Sequence, residues 1–388
     1  MSISCENLIG QKASAENKIY DVAIIGAGIN GCALAYELNQ RGLSVLVLEK
    51  SAIASGGSGA AGAFINPKIS KSGPLKDLIQ DAYLYSLDFY TKYFAPFTTS
   101  APLLHIAKYN DDNKKVDYFK EHTDLTLSQI PKMLRNRLKP HALSFSSVFL
   151  QNNAVVEAKE VCLQMLKDID VVKLEVQDPY MKDDLWQIQS FQSKRLVLCT
   201  GAYNEVFKEP YIELRRIYGQ RCEVHSSTYM NATVHHEVSV SATKKNGRIA
   251  IGASHYLNEA DIPDEKQGAL ALLALAEKSV FLEHVKIHNT FTGMRAGSND
   301  YLPLLGAVVD AHKSLKKDKR ALNGDKNARV SYIKNAYMIN GVGGYGFVLA
   351  PYLAKLMADF FVENKPLPEF LEPKRFYYRY AKKQGQGL

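Results

Sequence analysis

The chain has 388 residues, 46% of them apolar and 23% charged, with a formal net charge of +8. Its length exceeds the ~250 to 300 residues at which one core stops growing, so two domains are expected. No window approaches the roughly 20 uninterrupted apolar residues of a membrane-spanning helix, and the charge by itself points only weakly to an acidic partner.

The first 18 residues, MSISCENLIGQKASAENK, lack the charged and apolar regions of a secretory signal. They read as a flexible lead-in, and the expected location is the cytoplasm. Cys5, Cys32, Cys162, Cys199 and Cys222 are scattered, with no CxxC pair and no histidines at metal-ligand spacing. They are assigned to packing in a reducing compartment, and no metal site is expected.

Residues 19–50, IYDVAIIGAGINGCALAYELNQRGLSVLVLEK, carry the strongest local signal. A buried strand runs into Gly26-x-Gly28-x-x-Gly31, then a helix, a stop at Gly42 and a second strand closed by Glu49. Gly26 suits the tight turn, Gly28 the approach of a pyrophosphate, Gly31 close helix-strand packing, and Glu49 a ribose hydroxyl. The helix N-terminus supplies amide donors for phosphates. An acid at the strand end disfavours a 2′-phosphate, which leaves NAD or FAD. The small-residue stretch that follows, Ser55 to Gly62, lets backbone come very close to something flat or to another backbone.

Residues 74–141 look helical and mixed, and the tyrosine-rich 81–94 has apolar positions at three- and four-residue intervals, a core stripe. Residues 154–176 read as a helix followed by a strand. RLVLCTGAYN (195–204) reads as a buried strand ending in Thr200-Gly201-Ala202. Residues 213–290 hold several strand-like runs and then the helical LALLALAEKSVFL, as in a second, sheet-bearing domain. Within them His235 and His236 are adjacent, so on a strand they face opposite ways and do not share a metal.

TGMRAGSNDYLPLLG (292–306) sets one cation, Arg295, among small residues before an apolar run. A guanidinium pairs bidentately with a carboxylate, and Asp300 is the nearby alternative partner. KSLKKDKR (313–320) and KRFYYRYAKK (374–383) concentrate positive charge, the second interleaved with aromatics as on nucleic-acid-binding surfaces. The first reads as a solvated loop, and the second can equally be a frayed tail. Residues 335–362 repeat strand, glycine turn (Gly341, Gly343, Gly344, Gly346) and helix, aiming a second helix N-terminus at a ligand.

Together GAGINGCALAYEL with Glu49, GGSGAAG, LVLCTGAY, YGQRCEV, TGMRAGSNDYLPLLG and NGVGGYGFVLAP resemble, in order, the flavin-dependent amine and amino-acid oxidases typified by D-amino-acid oxidase and glycine oxidase. The resemblance implies an α/β fold: a Rossmann-like FAD-binding domain built from discontinuous segments (19–73, 150–212, 291–370) and an α+β, mixed-sheet substrate domain (74–149, 213–290), then a basic tail (371–388). It implies that Gly26, Gly28, Gly31 and Glu49 hold the adenosine diphosphate portion of FAD, with Lys50, Val172, Thr200 and Gly201 also at the cofactor. Ser58, Gly59, Ala61 and Gly62 would lie by the flavin. Gly343, Gly344, Tyr345 and Gly346 would meet its pyrimidine edge, with Gly344 and Tyr345 near the substrate and Arg295 on the substrate carboxylate.

Within that family, RAGSNDYLPLLGAVVD and GVGGYGFVLAP are similar to the FAD-dependent domain of the MnmC-type tRNA wobble-uridine enzymes, with Tyr345 where a basic residue is common. That resemblance implies oxidation of 5-carboxymethylaminomethyluridine, with or without 2-thiolation, in tRNA to the 5-aminomethyl nucleoside and glyoxylate. It also implies a separate methyltransferase acting on the product. The basic tail with Arg215, Arg216 and Arg221 would contact the tRNA backbone. The alternative is a glycine, sarcosine or D-amino-acid oxidase or dehydrogenase using the same FAD site and Arg295.

Overall fold

The computed structural model describes residues 18–203 and 205–387, so nearly all of the lead-in, Cys5 included, lies outside the described residues. Among these residues the strands form three sheets. The first has the order 304–309, 332–340, 191–198, 19–25, 45–49, 170–173, with a hairpin (180–182 and 185–188) added to 191–198. Its inner strands run parallel. A parallel sheet is buried on both faces, and the residues divide accordingly. Val22, Ile24, Val45 and Val47 enter one core; Ala23, Ile25, Leu46 and Leu48 enter the other.

The first of these cores is closed by the helices Ile29–Gln40, Pro74–Tyr93 and Gly346–Glu363. Pro74 and Asp77 suit the start of the second helix and Lys92 its end. Its stripe of Leu78, Ile79, Ala82, Tyr83, Phe89 and Tyr90 is buried. The third helix is the most apolar, and much of that surface packs into this core although Pro351 lies inside it. Proline removes one backbone donor and leaves the carbonyl four residues earlier without its helical partner. That carbonyl, Phe347 O, accepts from Tyr90 Oη at 3.1 Å, and Val348 O accepts from Ser86 Oγ at 2.7 Å.

The second sheet has seven strands in the order 286–298, 214–225, 249–252, 239–240, 233–235, 103–106, 147–150. One face carries Cys222, Val224, Val234, Val240, Ile249 and Ile251 against the helix Glu265–Ala276. Side chains alternate along a strand, so the other face is free to be polar.

Three expectations change. Residues 291–298, expected with the nucleotide segments, belong to the strand Lys286–Ser298, which pairs along its length with Leu214–His225 in the second sheet. The helix 74–93, expected with the substrate segments, packs in the core of the first. The basic tail is a docked helix, Lys374–Gly385, with Phe376, Tyr377 and Ala381 buried against the turn 319–323. Its aromatics repeat at helical spacing and cover a core rather than a nucleic acid.

Arg375 on this helix ties down the turn after Arg295's strand. Its Nε donates to Asp300 Oδ2 at 3.0 Å, and its Nη2 donates to Leu302 O at 2.8 Å and Pro303 O at 3.1 Å. Burial alone would raise the Asp300 pKa, but the Arg375 bond and charge hold it below the ordinary carboxylate value. Arg375→Ala is expected to cost about 2 to 3 kcal/mol in urea unfolding at neutral pH, Arg379 supplying a partial substitute at 3.5 Å. The difference from wild type should shrink as acid protonates Asp300, because a depressed carboxyl stabilises only while ionised.

Candidate active site

A cavity of about 950 Å³ runs between the glycine turns of the first sheet and the polar face of the second. At one end Gly26 has φ 105°, and a Cβ there would stand 2.5 Å from Cys199 O. Only glycine fits so close a strand-turn contact. Gly31 faces inward instead, where a Cβ would lie 1.9 Å from Gly26 O, so it serves helix packing and does not line the cavity. Glu49 accepts from Ala27 N at 2.8 Å and Ser51 N at 2.9 Å, which fixes its carboxylate at the cavity edge. Gly28, Lys50, Thr200 and Gly201 line the same end, with Lys50 Nζ 3.6 Å from the Tyr203 ring centroid. Val172 is held in the sheet opposite Leu48, and the wall is made by Leu174, Glu175 and Val176 just after it.

The small-residue loop is packed backbone to backbone against the strand of Arg295. A Cβ on Gly57 would lie 2.5 Å from Met294 O, and one on Gly293 would lie 2.5 Å from Ala60 Cβ. Ser58, Ala61 and Gly62 line the cavity; Gly59 does not, because it turns against Ala54 O. The Ser58 hydroxyl accepts from Ile29 N at 2.9 Å, tying the loop to the start of the first helix.

Arg221, expected at a tRNA backbone, is 5% exposed and is a clamp on this loop. Its Nε donates to Ala60 O at 3.2 Å and its Nη2 to Gly59 O at 3.1 Å, while Nη1 pairs with Glu223 at 2.6 Å. Glu223 pairs with Lys244 at 2.8 Å, which reaches Glu157 at 2.7 Å. Burial opposes ionisation of Glu223, yet the two cations bring its pKa down to about 2.

Arg295 lies over Gly219 of the neighbouring strand, where a Cβ would stand 2.4 Å from Nη2. Nη2 donates to Ser254 O at 3.1 Å, and the buried Nη1 has no partner among the described residues. Asp300 is taken by Arg375, so it is not the counterion. Burial pushes the Arg295 pKa down, but guanidinium keeps its proton, and a half-buried cation with a buried, idle donor can take an anion. His255 lines the cavity nearby; burial first and the Arg295 charge second lower its pKa.

The late glycine turn closes the site. Gly343, Gly344, Tyr345 and Gly346 all line the cavity, and Gly297 bridges to Val342. Asn340 Nδ2 donates to Gly201 O at 2.9 Å and its Oδ1 accepts from Gly341 N at 2.9 Å, so one side chain joins two turns distant in sequence. Sequence reasoning missed Asn340, Asn30, Gly219 and Gly293. The two glycines carried a readable signal, since each sits within a strand two residues from an arginine, a mark of close approach.

These residues fit FAD. At Gly56, Gly201 and Gly344 nothing stands within 4 Å of an added Cβ, so bare backbone faces the cavity there, and the buried Oδ1 of Asn30 on the same wall has no partner. The volume is at the upper end of ligand cavities, which run to roughly 1,000 Å³, as an elongated ligand requires.

The fold is shared with solved structures of glycine oxidase from Bacillus cereus ATCC 14579 (TM-score 0.72, 20% identity, 91% of this chain and 97% of that one) and from Geobacillus kaustophilus (TM-score 0.73, 19% identity, 92% and 98%). Among curated proteins, the chain is 26% identical over 388 aligned positions to the "tRNA 5-methylaminomethyl-2-thiouridine biosynthesis bifunctional protein MnmC" of Campylobacter concisus, covering 93% of this chain and 60% of that protein. A Leptospira interrogans protein of the same name is 24% identical, with 96% and 63% covered. The chain thus spans about three fifths of the length of these relatives.

If Gly219 is the seat of the guanidinium, Gly219→Ala will raise the KM for a carboxylate substrate at least roughly tenfold, the loss of one charge-assisted bond. Flavin content, read from the visible spectrum of the purified protein, should stay as in wild type. An unchanged KM would mean that Arg295 acts from another position. The family model "DAO: FAD dependent oxidoreductase" matches residues 21–360, and with this fold and this cavity the chain belongs to that family, an FAD-dependent oxidoreductase of the type that acts on amines and amino acids.

Proposed function

We propose that the protein removes the carboxymethyl group from 5-carboxymethylaminomethyl(-2-thio)uridine at the tRNA wobble position, yielding the 5-aminomethyl nucleoside and glyoxylate. The observation that carries this reading beyond a free amino acid is the set of cations and aromatics around the cavity. Arg216 is exposed and lines it. The Arg215 guanidinium lies 4.1 Å from the ring centroid of Tyr301, which is 63% exposed, and Lys68 Nζ lies 5.3 Å from that of the cavity-lining Tyr345. Rings beside cations are how proteins hold splayed-out RNA bases and their phosphates. An oxidase for glycine needs neither.

Arg295 supplies the anchor, since its idle Nη1 can take the carboxylate of an N-substituted glycine. His255, kept neutral, adds no second positive charge beside the amine, and the Arg295 field itself favours an unprotonated nitrogen. The chemistry that FAD supplies when bound is acceptance of two electrons and a proton from the glycine-derived methylene; the C=N bond so formed takes up water and parts into glyoxylate and a primary amine. The relatives' name ends on 5-methylaminomethyl, one methyl beyond this product, so a methyl-transferring activity would complete the sequence.

The test is to incubate the flavin-loaded protein with tRNA bearing the carboxymethylaminomethyl group and, separately, with glycine, sarcosine and D-alanine. The expected outcome is nucleoside conversion with glyoxylate release. Turnover of a free amino acid with the nucleoside untouched would replace this reading with that of an amino-acid oxidase. Arg295→Ala should lower kcat/KM on the tRNA by roughly 100-fold or more with flavin retained. The KM for tRNA should climb steeply between 50 and 200 mM salt, as phosphate contacts require.

A further inference from the structure

The polar face of the second sheet carries a row that the chemistry above does not use. His105 pairs in register with His235, His235 with Ser239, Ser239 with Gly252, and Gly252 with Arg221. Residues in register across a sheet share a face. Arg221 is occupied by the flavin loop and Gly252 offers no side chain, while His105, His235 and Ser239 line the same cavity as Arg295. On the opposite face the same strands present Leu104, Val234 and Val240 to the core. Packing therefore accounts for the apolar side and not for two imidazoles and a hydroxyl on the other.

The two rings stack with centroids 5.0 Å apart and an interplanar angle of 20°, and His235 Nδ1 is hydrogen-bonded to Ser239 Oγ. Burial is the main cause that lowers their pKa values, to about 3 for His105 and about 4 for His235. Both are neutral at physiological pH; the His235 Nδ1 is taken by Ser239, which leaves the His235 Nε2, the His105 ring nitrogens and the Ser239 hydroxyl as uncharged hydrogen-bonding groups. Such a surface suits a planar, uncharged ring whose edge alternates carbonyl and N–H.

The spacing selects which part of a ligand arrives there. Arg295 is seated over Gly219, two strands and two residues from Ser239 in this face, or roughly 12 Å at ~4.8 Å per strand and ~3.4 Å per residue. In an N-(uracil-5-ylmethyl)glycine the ring begins four bonds from the carboxyl carbon, roughly 5 Å at ~1.5 Å per bond. Adding a salt-bridge distance of ~4 Å and the width of the ring brings its far edge to Ser239 and the His235 imidazole hydrogen-bonded to it, with His105 stacked one strand beyond. Glycine or sarcosine ends well short of it.

We infer that His105, His235 and Ser239 form a nucleobase subsite that recognises the uracil or 2-thiouracil ring of the substrate while Arg295 holds its carboxylate, an inference that rests on the substrate reading above. Behind the imidazoles a smaller space of about 250 Å³, also lined by both, leads to Lys108 and Lys115. Each of those cations is paired with one acid, Lys108 with Glu237 and Lys115 with Asp112.

The test compares equilibrium binding, by calorimetry on the flavin-loaded protein, of N-(uracil-5-ylmethyl)glycine and of N-methylglycine. Wild type should bind the first at least tenfold more tightly. That ratio should fall at least fivefold in His235→Leu and in His105→Leu, and by less in Ser239→Ala, which keeps the rings. Because each variant is scored by a ratio of two ligands, a general loss of folded protein cancels. No preference for the uracil ligand in wild type, or a ratio untouched in all three variants, would overturn the subsite. Failure of the substrate reading is a separate result: the ring would be bound as expected, yet modified tRNA would not be converted.

Discussion

A half-buried guanidinium with one buried nitrogen idle among the described residues is the constraint around which the site is organised. Arg295 can sit so deep because the surfaces beneath it have been stripped of side chains. Gly219 makes room for the guanidinium, Gly293 and Gly57 let the loop reach the strand, and the carbonyl of Ser254 satisfies only one nitrogen. Under the proposed function the cost of burying that charge would be offset when a carboxylate enters, so that occupancy and electrostatic relief would be the same event. Asp300, which could have neutralised it permanently, is held elsewhere by the C-terminal helix.

The loop that forms the other wall is kept in place by a second buried ionic cluster with the opposite character. Arg221, Glu223, Lys244 and Glu157 form a chain of ion pairs, and Arg221 gives its remaining donors to the carbonyls of Gly59 and Ala60. One arginine is left wanting and the other is fully employed. That division separates a binding group from a positioning group among residues that are chemically alike.

Much of the nucleotide half could be read before any coordinates, because its signals are local. The glycine turn, Glu49 at the strand end and the late glycine turn each depend on residues within a few positions of one another. The errors arose where tertiary contacts decided. TGMRAGS has no apolar alternation, so its pairing with Leu214–His225 was invisible, and Arg295 was assigned to the wrong sheet. Arg221 looked like surface charge because its partners lie on another strand turn. KRFYYRYAKK looked like a frayed or nucleic-acid-binding tail, since its aromatic spacing reports a helix only once Ala321 and its neighbours provide something to cover. The histidine row spans strands separated by more than 100 residues, and no local pattern announces it.

Asn340, its side-chain oxygen held by the next residue's N–H, joins the turn after Leu198 to the turn before the last core helix through its amide nitrogen. Two walls of the cavity, contributed by segments about 140 positions apart, are thereby held at a set separation by one planar group. A motion that parted them would have to break the Nδ2 bond to Gly201 O, while the Oδ1 bond to Gly341 N keeps the amide aimed at it. One amide thus couples the two glycine turns, and the spacing of the bare backbone they present to the cavity depends on that single crossing bond.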